Sequence, residues 1–534
     1  MKKIIIVLTM AISITSNSQT GLNATLNSFK RPTPLIGFNG QANFCTGNWA
    51  NQSWLDSLAT LNTALLRFPG GTNANHWDWQ TGWYQNAATT PSWVANLTGT
   101  CISRADEFKI GMNACNSKAL LVINFQHSNI GYQIQGLNYA ISKGVPVEKI
   151  EMGNEHNIGS SAQQYIPAGT YASLGKVWAD SLKSHYPNSK ICMVGGAIGT
   201  TTAAWHDSIF SKNPNIDALS FHLYLTAGNN DNNYFTRRAL SMPFGNTTGV
   251  NYRYNTAKFT QTVIPSNIEI WATEYNLGEA VSGCPIQHAG TWTHALYLNC
   301  MSNELMNIPK ITMLLNHDVA GSNDFAAVDN NNKITAAGVS MGLLGSVSKG
   351  TDSTQLITFN SQPTITWSTT TYPSLMGWKF WKTNSNTKNA WITNLSSQTI
   401  KVSVDQIIGT NFSFAHYKAD TNFVVNGIKS LSITTGFSTD SITIPPYSIT
   451  VLKDLTNTSI NESSKEYDFT FYPNPVSQTL YFSKSLEAVK IYDVYGRNIK
   501  SCNGSSRNIS VDDLPDGVYF LQTQHYSKRF IVKH

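Results

Sequence analysis

Two glutamates stand where apolar runs end, and their neighbours suggest chemistry. Glu155 lies in "KIEMGNEHNIG" (149–159), directly after Gly153 and Asn154, and Glu274 follows the apolar part of "EIWATEYN" (269–276). Two carboxyl groups facing one another across a substrate do a defined piece of work: one protonates a leaving oxygen while the other attacks or activates water. A single glutamate at a strand end is more often a solvated or capping acid, so the reading depends on the chain bringing both to one place. Other side chains of chemical capacity lie at comparable points: Arg67 in "LLRFPGG", His222 and Tyr224 in "FHLY", and His317 between Asn316 and Asp318 in "ITMLLNHD". By default Arg67 is a structural ion-pair partner and His222 a satisfied core histidine. The stretch "TNANHWDWQTGWYQ" adds Trp77, Trp79, Trp83 and Tyr84. Flat aromatic faces suit the C–H face of a sugar ring, and they equally suit a loop held together by its own aromatics.

These residues need elements to place them. Short apolar runs recur at 35–40, 64–70, 119–125, 149–155, 190–196, 218–224, 269–276 and 311–318, with amphipathic stretches such as 165–185 and 287–307 between most of them. Near-continuous apolar strands separated by helices imply a parallel sheet buried on both faces, and eight repeats imply a closed (β/α)8 barrel over 34–345. A doubly wound open sheet is the rival, but no Gly-rich phosphate loop follows the first run. A barrel directs the C-terminal ends of its strands into one mouth, so it would bring Glu155 and Glu274 together. From 346 to 455 the helical period gives way to short alternating strands divided by Gly, Asn, Ser and Thr turns, which describes a β-sandwich. A polar linker follows at 456–466, and 467–534 is again β-rich.

Composition limits the alternatives. Only 13% of the 534 residues are charged, about half the usual share, and the formal net charge is +6. Lysines and arginines are scattered rather than clustered, which argues against a nucleic-acid partner. The N-terminus has Lys2 and Lys3, an apolar run over 4–14 and small polar residues after it, the pattern of a secretory signal peptide spanning 1–19. No later stretch is apolar enough for a membrane span. The cysteines number seven, so at least one has no intramolecular partner; no CxxC metal spacing occurs, and Cys192 in "KICMVGG" reads as buried packing. A metal-dependent hydrolase on the same barrel needs His and Asp ligands at several strand ends, and the first strand has no HxH pair. "DNNNK" (329–333) lacks the glycine and terminal glutamate of a calcium loop and reads as a turn. Neither metal nor organic cofactor is expected. The alternative to an enzyme is a carbohydrate-binding or adhesive surface protein, which would tolerate loss of either glutamate; both are present.

Taken in barrel order, "LLRFPGG" on strand two, "GNE" on strand four, "FHLY" on strand six and the glutamate ending strand seven resemble the retaining glycoside hydrolases of clan A. Families 51, 39 and 79, the arabinofuranosidase, xylosidase and glucuronidase types, are the nearest in pattern. The resemblance implies a barrel with a trailing β-sandwich that cleaves plant- or algal-type oligosaccharides or polysaccharides by double displacement. Carried over, it makes Glu155 the general acid/base and Glu274 the nucleophile. It gives Asn154 the sugar 2-hydroxyl and Arg67 the task of keeping Glu274 ionised, and has His222 and Tyr224 orient the pair. Where the clan often has an aromatic on strand eight, this chain has Asn316, His317 and Asp318, of which His317 is a pocket candidate. Separately, "FYPNPVSQTLYF", "KIYDVYGRNI" and "LPDGVYFLQ" resemble the sorting domain of the type IX secretion system. That implies a small C-terminal β-sandwich, handled by this machinery at an outer membrane, and a secreted or cell-surface product.

Overall fold

Residues two apart on a strand share a face, and in the computed structural model this rule sorts the centre of the molecule into an apolar floor and a polar mouth. The structure describes residues 22–40, 49, 51–84, 103–158, 165–196, 203–227, 235–278, 288–320, 325–385, 387–455, 470–486, 488–493, 497–502, 504–523 and 527–534. The expected signal peptide and the linker lie outside them. Eight strands close a parallel barrel: β1 (Leu35–Asn39), β2 (Leu65–Phe68), β3 (Lys118–Ile123), β4 (Lys149–Met152), β5 (Lys190–Val194), β6 (Ala218–Leu225), β7 (Glu269–Leu277) and β8 (Ile311–His317). Leu65, Leu120, Cys192, Ala218, Trp271, Met313 and Leu315 form one buried cluster and plug the barrel. Two residues further along the same strands come Arg67 after Leu65, Ser220 after Ala218 and Thr273 after Trp271, so the polar layer lies on the C-terminal side of the plug.

The helices between the strands explain their own burial. In the helix Ala168–His185 the buried residues are Tyr171, Ala172, Gly175, Trp178, Ala179 and Leu182, a single stripe at helical spacing. The helix Trp292–Met306 behaves differently, because nearly every residue is buried, where the sequence implied one wet face. Its second face is covered by the β-sandwich: Trp378 Nε1 donates to Asn303 Oδ1 at 3.0 Å, and Asn299 Nδ2 donates to Thr393 Oγ1 at 3.2 Å.

That sandwich is a nine-stranded sheet folded over its own core, which includes Ile357, Ile392, Val402, Phe412, Ile444 and Leu452. The strand Leu22–Pro32, which the sequence pattern assigns to neither domain, lies inside the sheet. It pairs antiparallel with Ser353–Phe359 (Ala24 opposite Phe359) and parallel with Ile400–Ser403 (Leu22 opposite Val402). From this strand Arg31 reaches back to the barrel and donates to the carbonyls of Met306, Ile308 and Ile311.

Residues 470–534 fall in a second unit. A three-stranded and a four-stranded sheet there enclose a core of Val476, Leu480, Phe482, Val489, Ile491, Val511, Leu521, Phe530 and Val532. No helix among the described residues is long and apolar enough to cross a membrane.

Candidate active site

Glu155 and Glu274 meet at the barrel mouth. An oxygen of each and a ring nitrogen of His222 all lie within 4.8 Å of one another. The turn after β4 achieves this with unusual backbone: Gly153 has φ +80° and Glu155 has φ +52°. A Cβ at Gly153 would stand 1.9 Å from His156 Nε2, so the first position demands glycine on two counts. A glutamate in the left-handed region costs on the order of 1–3 kcal/mol, a strain that is met typically where a side chain must be aimed. Asn75 holds the turn from the side, its amide donating to the Asn154 carbonyl at 2.8 Å and its oxygen accepting from the Asn154 N–H at 2.9 Å.

On β7 the aim is set by a bulge. Pairing with β6 slips between Ala272 and Glu274, which lets Thr273 and Glu274 both enter the site where strict alternation would turn one away. Glu274 is buried and fully engaged. Its Oε1 accepts from Arg67 Nη1 at 2.8 Å and from Asn39 Nδ2 at 3.2 Å, and its Oε2 accepts from the Tyr224 hydroxyl at 2.7 Å. Burial by itself would favour the protonated acid. His222, His317, Arg67 and the Tyr224 hydrogen bond outweigh that and hold Glu274 well below the ordinary carboxylate range. Burial also works against charge on Arg67, but Glu151 and Glu274 more than offset it and push its pKa up.

Around this pair the structure gathers Asn154, Arg67, His222, Tyr224 and His317. Arg67 Nη2 donates to Asn154 Oδ1 at 2.8 Å. That leaves Asn154 Nδ2 buried and without a hydrogen-bond partner among the described residues. His222 Nδ1 lies 2.9 Å from Glu155 Oε1 and 3.6 Å from Glu274 Oε2. His317 Nδ1 is 2.8 Å from Asn39 Nδ2 and 3.7 Å from Glu274 Oε2. Next to it Asp318 is buried, which raises its pKa to about 6. A cavity of about 210 Å³ opens beside Glu155, His222 and Tyr224, with Asn157, Gly195 and Ser220 in its wall.

Trp77 and Trp79 require a correction. Trp77 is only 4% exposed and meets Phe68 and Tyr84 edge-on, so neither of its faces is open to a sugar. Trp79 donates from its indole to the Tyr132 carbonyl at 3.0 Å and lies against Tyr132 and Tyr139. Both border a separate cavity with Leu121, Ile123 and Leu137, whose lining includes neither Glu155 nor Glu274. Their apolar area serves to hold the loop on the barrel wall.

Three further residues of the site were not singled out from sequence. Asn39 ends β1 and bridges Arg67, Glu274 and His317. Glu151 is fully buried and grips Arg67 at two points, Nε to Oε2 at 2.6 Å and Nη2 to Oε1 at 3.1 Å. Thr273 lies between Glu151 and His222. Glu151 did carry a signal: it is a charged residue in the middle of an apolar strand, which only a buried partner tolerates.

Glu155, His222 and Glu274 also offer three atoms in ligand-like proximity. The donor set does not suit a cation, because Arg67 already donates to Glu274 and a metal there would sit against a guanidinium.

Comparison with known proteins agrees with this architecture. Residues 470–534 match the family described as the secretion system C-terminal sorting domain. No curated protein matches the chain in sequence. In structure the chain is similar to a family 51 α-L-arabinofuranosidase from Bifidobacterium longum, at 13% identity and TM-score 0.64 over 81% of this chain and 99% of that one. It is similar to an α-L-arabinofuranosidase from Thermotoga maritima at 14% identity and TM-score 0.61, over 81% and 99%. A 4-O-α-L-rhamnosyl-β-D-glucuronidase from Fusarium oxysporum follows at 13% identity and TM-score 0.53, over 82% and 99%. At these identities the likeness shows the fold: a barrel followed by a β-sandwich.

Proposed function

We propose that the chain is an exported glycoside hydrolase that retains anomeric configuration, with Glu274 as nucleophile and Glu155 as acid/base. The observation that carries this reading is the close approach of the two carboxyl groups, an oxygen of each within 4.8 Å. Retaining enzymes hold their carboxyls about 5–5.5 Å apart, whereas inverting ones leave about 6.5–9.5 Å for a water. The two environments also differ as the roles require. Glu274 is held ionised by a cation and a hydroxyl, while Glu155 is bonded to a group that exchanges protons. In the first step Glu155 gives its proton to the glycosidic oxygen as Glu274 attacks the anomeric carbon; the C–O bond breaks and a glycosyl ester forms on Glu274. In the second step Glu155, now a carboxylate, takes a proton from water, whose oxygen attacks the same carbon and releases Glu274. The unpartnered Nδ2 of Asn154 supports a role for this residue as a donor to a sugar hydroxyl in both steps.

The substrate class is an oligosaccharide or polysaccharide, and the matched C-terminal domain supports delivery outside the cell through a type IX system. Both parts are testable. The chain is expected to release aryl alcohol from one or more of the α-L-arabinofuranoside, β-xyloside, β-glucuronide, β-galactoside and β-glucoside, or sugar from a polysaccharide. Glu274→Ala should abolish release, and Glu155→Ala should spare mainly substrates with good leaving groups. Product of inverted configuration by NMR, or undiminished activity in Glu274→Ala, would overturn the reading.

A further inference from the structure

The buried contact between Glu151 and His222, made through Thr273, fixes where a proton sits. Thr273 Oγ1 lies 3.2 Å from Glu151 Oε1 and 3.0 Å from His222 Nε2. A threonine hydroxyl has one proton to give. Glu151 is a carboxylate locked on Arg67, so it can only accept, and the hydroxyl proton goes to it. Thr273 therefore meets His222 as an acceptor, and Nε2 of the imidazole must carry a hydrogen. In the neutral ring this leaves Nδ1 as a bare lone pair, 2.9 Å from Glu155 Oε1. That contact is favourable only while one proton lies between the two groups.

We propose that Thr273 and Glu151 are positioning residues that lock His222 in its Nε2–H form, so that Glu155 and His222 share one proton, the proton delivered to the leaving group. The tautomer follows from the geometry; the use made of the proton rests on the hydrolytic reading above.

The arrangement has a consequence for both steps. Once the shared proton is gone, the Glu155 carboxylate faces a lone pair and the ring cannot turn its N–H toward it without abandoning Thr273. The pair thus keeps its proton as the acid of the first step and, once bare, is a strong base for the second. The charged groups facing His222 are Glu155, Glu274 and Arg67, with Tyr224 on the same strand bonded to Glu274. Burial disfavours the imidazolium, Glu274 and Glu155 favour it, Arg67 opposes it, and the balance is upward.

The test compares wild type with Thr273→Val, which keeps the shape and removes the hydroxyl, and Thr273→Ser, which restores it. The full chain is labelled with ¹⁵N-histidine, His222 is identified by its absence from His222→Gln, and its ring nitrogens are followed with pH. At high pH wild type should show Nε2 protonated and Nδ1 bare. In Thr273→Val the ring should turn to Nδ1–H, and the pair should lose its proton about one pH unit lower, the scale of one hydrogen bond to a charged group. Thr273→Ser should behave as wild type. The alkaline limb of kcat/KM on an active glycoside with a poor leaving group should move in the same direction and by the same amount. A wild-type ring protonated at Nδ1 at high pH overturns the proposal without any variant. So does a Thr273→Val chain with unchanged tautomer and limb, and in that case hydrolysis itself survives. Absence of hydrolysis from every glycoside defeats the hydrolytic reading, and the spectra still decide the tautomer.

Discussion

At the residue scale, the candidate site is a contest over charge in a buried place. Glu274 stays ionised only because several donors and cations surround it, and the Tyr224 hydroxyl is one of them at 2.7 Å. Tyr224→Phe removes a donor that stabilises the ionised form alone. The carboxyl should then titrate closer to its ordinary value, and the acid limb of kcat/KM should move to higher pH by about one unit, with the alkaline limb unmoved. An acid limb that stays in place would assign Tyr224 to substrate contact and leave Arg67 as the group that holds Glu274 ionised. Glu151 makes a stronger case. Its loss leaves Arg67 buried with half its counter-charge, so Glu151→Ala should cost about 3–5 kcal/mol in a denaturant titration. The sequence made Glu155, Glu274, Asn154, Arg67 and His222 legible because each ends or punctuates an apolar strand in a strand-end motif. Thr273 was not legible, because a reading that turns Glu274 into the mouth turns its neighbour away by strand alternation, and only the bulge between Ala272 and Glu274 lets both enter.

Elements show the same division between what patterning reveals and what packing decides. The barrel strands announced themselves as apolar runs, since a parallel strand buried on both faces has few polar positions to spare. The helix Trp292–Met306 carries polar residues such as Asn299, Ser302 and Asn303 that resemble a solvent face, yet all three are buried against neighbours that come from elsewhere in the chain. No local period can report a partner so distant in sequence. Composition misled in a different way at Trp77 and Trp79, where an aromatic-rich loop has the same letters whether its rings face a ligand or one another. The turn after β4 is the element on which the site depends most. Gly153→Ala places a Cβ against His156 at a φ of +80°. It should destabilise by more than about 1 kcal/mol and lower kcat far more than the stability loss explains, because Glu155 is two residues on. Thermal unfolding and kinetics on the same sample separate the two effects, and a variant that keeps full kcat would show that the turn need not be rigid.

Over the whole molecule, chain ends and domain order matter in opposite ways. The strand Leu22–Pro32 enters the sheet formed by residues beyond 350, so along the chain the barrel is flanked by two pieces of one sandwich and those pieces stabilise together. Arg31 is the point where that strand meets the barrel, with three carbonyls on its guanidinium. Arg31→Ala leaves those acceptors buried and should cost about 2–4 kcal/mol, though it touches no residue of the site. The C-terminal unit follows a different logic. Its sheets close over their own core, and residues 470–534 match a sorting domain. A chain ending at 457 should therefore keep the melting temperature and specific activity of the full chain, yet accumulate inside the outer membrane of a host whose secretion system reads that domain. Cell fractionation combined with activity in each fraction distinguishes the outcomes. An active truncated chain outside the cells would show that 470–534 is not the export signal, and an inactive soluble one would make the C-terminal unit necessary for the proposed activity.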